Sequence, residues 1–259
     1  MMEGASGEEV TAVLRAAGCV FAEDEARLLI GEAPDNQVLA DWIGRRVEGE
    51  PLEYIVGWAE FHGIRVTVAP GVFVPRRRTE AMVDAALELL APGEVLLDLC
   101  CGSGAVAAAV VEVAPAVAVY ASDIDAAAVE CARRNLPGRR VFTSDGFEQV
   151  PRELRGNIAV ITANTPYVPT SAVGTMPPEA RDWEPHATLD GGADGLDIQR
   201  RIASSAPSWL VPGGSLIVET SEAQAETACQ VFTAAGLTPT VVQDDERDAT
   251  IVVGRSSRA

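Results

Sequence analysis

Apolar residues recur three and four apart through the first fifty positions. Val10, Val13, Leu14 and Ala17 keep helical spacing behind Ser6, which stands three residues before Glu9 as in a capping box, and Gly18 closes the segment. The same period predicts a second helix from about Ala22 to Gly31, carrying Ala26, Leu29 and Ile30. A third follows Asp35 and carries Val38, Leu39, Trp42, Ile43 and Val47. Three short helices make a bundle too small to enclose a catalytic core, so residues 1–57 read as a stability cap or a partner-recognition module. The period then drops to two. FHGIRVTVAPGVFVP, within residues 58–75, alternates apolar and polar positions about Pro70-Gly71 and predicts a β-hairpin linking the two parts of the chain. A helical run from Thr79 to Leu90 and a break at Pro92-Gly93 follow.

From Val95 onward, apolar runs of strand length alternate with helical patterns. VLLDL, AVAVYAS, RRVFTS, NIAVITA and GSLIVET read as strands, with AVAAAVVEV, AAAVECARRNL and a helix near Ile198 to Leu210 among them. Alternation of this kind builds βαβ units, hence a parallel sheet with helices on both faces. After a helix ending near Ala235, LTPTVVQ and DATIVVG break the pattern. Only the turn Asp244, Asp245, Glu246 separates them, too short for a crossover, so they pair antiparallel. The predicted catalytic domain, residues 76–259, is therefore α/β: a Rossmann-like, mostly parallel seven-stranded sheet closed by a C-terminal antiparallel hairpin. That layout resembles the class I S-adenosylmethionine (AdoMet) methyltransferases.

With 259 residues, 47% of them hydrophobic, the chain can bury a sizeable core. No apolar run approaches the roughly 20 residues that cross a bilayer. MMEGASGEEV also lacks the basic-then-apolar order of a signal peptide, so no membrane contact and a cytoplasmic location are expected. Cys19, Cys100, Cys101, Cys131 and Cys229 form no CxxC pair, and the only histidines are His62 and His186, which leaves a metal site without support. All 20 cationic residues are arginine, which excludes a lysine Schiff base and a P-loop lysine. A net charge of −18 opposes phosphate neutralisation, so nucleic acid is not expected as a direct partner. Arg76, Arg77 and Arg78 are the local exception: either they offset neighbouring acids or they touch an anionic substrate surface.

The candidate chemistry starts at VLLDL. The loop Cys100-Cys101-Gly102-Ser103-Gly104 and a helix follow, a strand, glycine turn and helix of the kind that holds a nucleotide cofactor. Gly102, Gly104 and Ala107, with Asp123 about 20 residues on, also fit the dinucleotide fingerprint. Asp98 separates the two cofactor classes. A carboxylate at the strand tip repels a pyrophosphate on the helix N-terminus but favours the ammonium and sulfonium charges of AdoMet, which is the expected cofactor. In an open sheet ligands sit beyond the carboxyl ends of the strands. Asp123, after the second strand, is therefore a candidate for both ribose hydroxyls, while Asp125 is better placed to cap the next helix. Asp145 and Gly146 follow the third strand and either accept from an adenine amino group or form a turn. Asn164-Thr165-Pro166-Tyr167 follow the fourth. They supply an amide acceptor, a pre-proline residue whose extended geometry projects its carbonyl, and a ring that stacks on a flat group. This suits a planar NH2, although the four residues also suit a plain turn.

Together these stretches resemble the protein-(glutamine-N5) methyltransferase family, which modifies the glutamine of the GGQ motif in peptide-chain release factors. PLEYIVGWAEFHGIRVTVAPGVFVPRRRTE, LDLCCGSGAVA, ASDIDAAAVECARRNL, ANTPYVP and EPHATLDGGADGLDIQRRI carry the resemblance over nearly the whole length. It implies AdoMet held by Asp98, Cys100, Cys101, Gly102, Ser103, Gly104, Asp123, Asp145, Gly146 and Asn164. It also implies a glutamine amide held by Asn164, Thr165, Pro166 and Tyr167, and a protein substrate that residues before Trp58 help to dock. Three positions depart from the family: Cys100 replaces a loop glycine, Val74-Pro75 and three arginines replace IPRPETE, and Thr165 replaces the first proline of NPPY. Such changes are what a relative with another protein target would carry. The competing readings are adenine-N6 methylation of nucleic acid, a small-molecule acceptor, and a non-catalytic binding module that keeps the fold.

Overall fold

The computed structural model describes residues 6–257; residues 1–5 and 258–259, at the outer ends of the two predicted domains, lie outside the described residues. Ser6 caps α1 (Gly7–Ala16): its hydroxyl accepts from the Glu9 N–H while the Glu9 carboxylate accepts from the Ser6 N–H at 2.8 Å. With α2 (Ala22–Glu32) and α3 (Asn36–Val47), this helix encloses Val10, Leu14, Leu29, Leu39 and Ile43. A short helix behind Pro51, α4 (Leu52–Val56), was not foreseen and adds Ile55 to the same core. Glu25 meets the buried Arg46 at 2.6 Å, which offsets part of the cost of taking its charge out of water.

The hairpin is shorter than its alternation suggested. β1 (Trp58–Phe61) and β2 (Ile64–Thr67) pair antiparallel about His62-Gly63, not about Pro70-Gly71. Both turn residues have positive φ, 47° and 76°, which gives the two-residue turn whose twist matches that of the strands. Pro70-Gly71 instead closes a local turn in which the Val72 N–H donates to the Ala69 carbonyl at 3.0 Å. The Tyr54 hydroxyl donates to the Val72 carbonyl at 2.8 Å and ties the bundle to this irregular segment.

The remaining elements are α5 (Glu80–Leu89), β3 (Val95–Leu99), α6 (Ala105–Val113), β4 (Ala118–Asp123), α7 (Ala126–Asn135), β5 (Arg140–Thr143), β6 (Ile158–Ala163), α8 (Thr170–Val173), α9 (Pro178–Trp183), α10 (Asp197–Ser205), β7 (Leu210–Thr220), α11 (Ala225–Ala234), β8 (Thr238–Asp244) and β9 (Ala249–Arg255). Seven strands form one sheet in the order β5-β4-β3-β6-β7-β9-β8. The first five run parallel, and β9 enters antiparallel between β7 and β8. Helices α5, α6 and α7 cover one face over Leu96, Val119, Val160 and Ile217. Helices α10 and α11 cover the other over Leu97, Leu99, Ile161, Leu216 and Val218. From β3 the chain goes to β4 and β5 on one side, then returns to β6 on the other. The crevice between the carboxyl ends of β3 and β6 is thus the switch point where such sheets take ligands. Among the described residues no helix is long and apolar enough to cross a membrane.

Candidate active site

Beyond β3 the loop Cys100 to Gly104 turns the chain into α6. Gly104 has φ 76°, and a Cβ there would lie 3.0 Å from the Ala132 Cβ and 3.1 Å from Leu136, so only glycine lets the loop pack on α7. Cys100 has φ 53°, a left-handed backbone that a side chain adopts at a cost. Three bonds hold the loop. The Cys101 N–H donates to the Ser122 carbonyl at 3.0 Å, the Gly102 N–H to Asp123 Oδ2 at 2.9 Å, and Asn135 Nδ2 to the Ser103 carbonyl at 2.8 Å. Asn135 also exchanges two 2.8 Å bonds with the Thr67 backbone, bracing the hairpin against the loop. Sequence reasoning passed over Asn135 because an amide in the last turn of a helix carries no local signal of a distant partner.

Asp98 is 2% exposed. The Thr162 hydroxyl donates to its Oδ1 at 2.7 Å, while Oδ2 is buried with no hydrogen-bond partner among the described residues. Burial pushes its pKa from 3.8 up to about 7, against the lowering effect of the Thr162 hydroxyl. A buried carboxylate oxygen without a donor fits the ammonium of AdoMet and would repel a pyrophosphate. Asp123 is also raised by burial; the backbone N–H groups of Asp125 and Gly102 lower it, and both donate to its two oxygens, at 3.0 and 2.9 Å. Each oxygen keeps a lone pair for a ribose hydroxyl. Asp125 takes the capping role, accepting from the Ala127 N–H at 2.8 Å. The residues present therefore fit AdoMet at both its charged and its ribose ends.

One cavity is lined by Asp98, Cys100 to Ser103, Asp123, and Asn164 through Tyr167. A second, lined by Asp145, Gly146 and Phe147, shares Cys100, Ile124 and Ile198 with it. The loop residues, both strand-tip acids and the Asn164–Tyr167 segment thus meet at one place, with Asp145 and Gly146 next door. The Asp145 carboxylate is taken by Arg201 at 2.7 Å.

Asn164 follows β6, and its Nδ2 donates to Thr79 Oγ1 at 3.3 Å. Thr165 is 2% exposed, and among the described residues its hydroxyl, its N–H and its carbonyl make no hydrogen bond. The Tyr167 hydroxyl, kept protonated by burial, donates to Glu219 Oε1 at 2.7 Å. Gln224 Nε2 donates to the Tyr167 carbonyl at 2.8 Å, and a Cβ on Gly195 would collide with that carbonyl. The DGGADG stretch therefore needs its glycine to pack against the Asn164–Tyr167 segment. Two members of the arginine triplet face acids: Arg76 meets the buried Glu184 at 2.6 Å and Arg78 meets the buried Glu219 at 3.2 Å, while Arg77 is exposed. Thr79 stands at the N-cap of α5, yet its hydroxyl makes no cap bond and donates to Glu219 instead.

A family model, the methyltransferase small domain, matches residues 63–176. The release factor glutamine methyltransferase of Geobacter sulfurreducens is 38% identical over 216 residues, spanning 82% of this chain and 75% of that protein. The release factor glutamine methyltransferase of Streptomyces coelicolor is 36% identical over 197 residues, spanning 74% and 70%. A solved methyltransferase from Pyrococcus furiosus shares the fold, with a TM-score of 0.57 at 18% identity over 75% of this chain and 90% of that one.

Proposed function

The chain belongs to the release factor glutamine methyltransferase family, and from that footing we propose that it transfers a methyl group from AdoMet to the side-chain amide nitrogen, N5, of a glutamine in a peptide-chain release factor, in the cytoplasm. The observation that carries this reading is that Asn164 and Thr165, whose carbonyl makes no hydrogen bond among the described residues, line the same cavity as Asp98 and Asp123.

When bound, AdoMet supplies an electrophilic methyl group. An amide nitrogen is a poor nucleophile, because its lone pair is delocalised into the carbonyl. Asn164 Oδ1 and the Thr165 carbonyl can accept its two hydrogens and hold the nitrogen as it pyramidalises, an interaction strongest in the transition state. The Tyr167 ring can lie against the flat amide and limit its orientation. Asp98 would hold the cofactor's ammonium and Asp123 its ribose, while Gly104 keeps the loop close to α7. No strong base is needed: the nitrogen becomes acidic as it is methylated, and the hydrogen held at Asn164 Oδ1 leaves to water. The charges of Arg76 and Arg78 are committed to Glu184 and Glu219, which removes most of the basic surface that a flipped nucleic-acid base would need.

In the same reading residues 1–57 dock the substrate protein, 58–75 link, and 76–259 catalyse. Support comes from the ties between bundle and cavity rim: Tyr54 holds Val72, a lining residue, and Arg46 approaches Glu179 of α9 at 3.5 Å. The test is to incubate the protein with methyl-labelled AdoMet and a cell lysate. Label on a release factor is expected. Label only on nucleic acid or small molecules would overturn the proposal.

A further inference from the structure

We infer that Glu219, at the end of β7, is a positioning residue that sets the polarity of the acceptor clamp through Thr79 and Asn164; the inference rests on the amide reading above. Glu219 is 1% exposed, and three side-chain donors converge on its carboxylate. The Tyr167 hydroxyl reaches Oε1 at 2.7 Å, Arg78 Nε reaches the same oxygen at 3.2 Å, and Thr79 Oγ1 reaches Oε2 at 2.6 Å. Gln199 Nε2 pins the backbone of the same residue by donating to its carbonyl at 2.9 Å.

A carboxylate offers acceptors only, and a threonine hydroxyl has one proton. Thr79 gives that proton to Glu219, so Oγ1 has only lone pairs left for Asn164, and Asn164 must turn its Nδ2 towards Thr79, as found at 3.3 Å. The opposite amide orientation would set Oδ1 against the Thr79 lone pairs and leave two acceptors facing each other. Asn164 Oδ1 is thereby left free to accept, and both Asn164 and Thr165 line the cavity. Two fixed acceptors recognise an NH2 and repel a carboxylate, so the relay lets the clamp take glutamine and refuse glutamate. Glu219 holds Tyr167 as well and thus braces both ends of the segment. Residues far apart in sequence, Thr79, Asn164, Tyr167 and Glu219, act as one polar unit.

Thr79→Val keeps the shape and removes the hydroxyl; Thr79→Ser keeps the hydroxyl and removes a methyl. In the full chain, with a purified release factor as acceptor, Thr79→Val should lower kcat about 10- to 100-fold, as expected for a misoriented clamp, with an unchanged calorimetric Kd for AdoMet. Thr79→Ser should recover kcat to within about threefold of wild type, and Glu219→Gln, which can present an NH2 to Thr79 and reverse the relay, should resemble Thr79→Val. A purely structural role predicts the reverse order, because valine packs better than serine in a buried site. Equal kcat for the Val and Ser variants, or loss of AdoMet binding along with kcat, would overturn the relay. If the wild type methylates no release factor, the acceptor assignment fails by itself. The relay is then read from the side-chain 15N–1H signals of Asn164, identified by their loss in Asn164→Ala. Their exchange protection should vanish in Thr79→Val, and unchanged protection would overturn the relay.

Discussion

Replacing Asp98 with Asn should stabilise the ligand-free protein at pH 8 while weakening its hold on the cofactor. In the folded chain Asp98 holds its proton up to about pH 7, against 3.8 for an ordinary aspartate, because burial penalises the charge. Between those values the folded state binds a proton that the unfolded chain has released, so stability falls as pH rises. The contribution is fully present below about pH 4 and lost as pH passes 7. A gap of about three pH units at 1.36 kcal/mol each makes the ionised, unliganded carboxylate cost about 4 kcal/mol. Asn keeps an acceptor for the Thr162 hydroxyl and carries no charge at any pH. In urea unfolding, the variant should therefore exceed wild type by up to about 4 kcal/mol at pH 8, with most of that gain gone at pH 5. Calorimetry at pH 8 should show AdoMet affinity reduced by about 1.5–3 kcal/mol or more, the usual worth of a hydrogen bond to a charged group. A stability difference independent of pH would refute the assignment of a buried, proton-linked carboxylate, and intact AdoMet affinity would refute its role as the ammonium partner.

Three further outcomes follow from the same geometry. Asn164→Ala should lower kcat on a glutamine acceptor on the order of 10²–10³-fold with a much smaller change in AdoMet Kd, and steady-state kinetics showing full activity would end the amide clamp. Thr165→Pro removes an N–H that makes no bond among the described residues and stiffens the backbone behind the carbonyl, so it should preserve or raise kcat. An inactive Thr165→Pro would mean that the threonine itself is needed. Cys100→Gly and Cys100→Ala both delete the thiol, but only glycine adopts φ 53° freely, so thermal unfolding should find the glycine variant about 1 kcal/mol more stable than the alanine one. A more stable alanine variant would contradict a left-handed backbone at this position.

The sheet and its antiparallel closure were legible because buried strands and amphipathic helices differ in period, and because the link between β8 and β9 is too short for a crossover. The meeting of Asp98, Cys100 to Ser103, Asp123 and Asn164 through Tyr167 at one cavity was legible because these residues lie at or just beyond strand ends. The hairpin turn was misplaced because Pro70-Gly71 is a stronger composition signal than His62-Gly63, although it is the latter that adopts the twisted two-residue turn. Thr79, Asn135 and Glu219 could not be read. Each earns its position through a partner more than 60 residues away, and nothing in the local pattern marks it. The arginine triplet was left open for the same reason: Glu184 and Glu219, which take up two of its charges, lie more than 100 residues downstream.

The central claim is transfer of a methyl group to a side-chain amide held by Asn164 and Thr165. It is tested most directly by incubating a purified release factor with this protein and AdoMet bearing a deuterated methyl group, then locating the label by fragmentation mass spectrometry. The account predicts one labelled methyl on the side-chain nitrogen of a single glutamine, formed on the order of 10²–10³-fold more slowly when Asn164→Ala replaces the wild type. A methyl group on any other atom, or none from a protein that binds AdoMet, would contradict it.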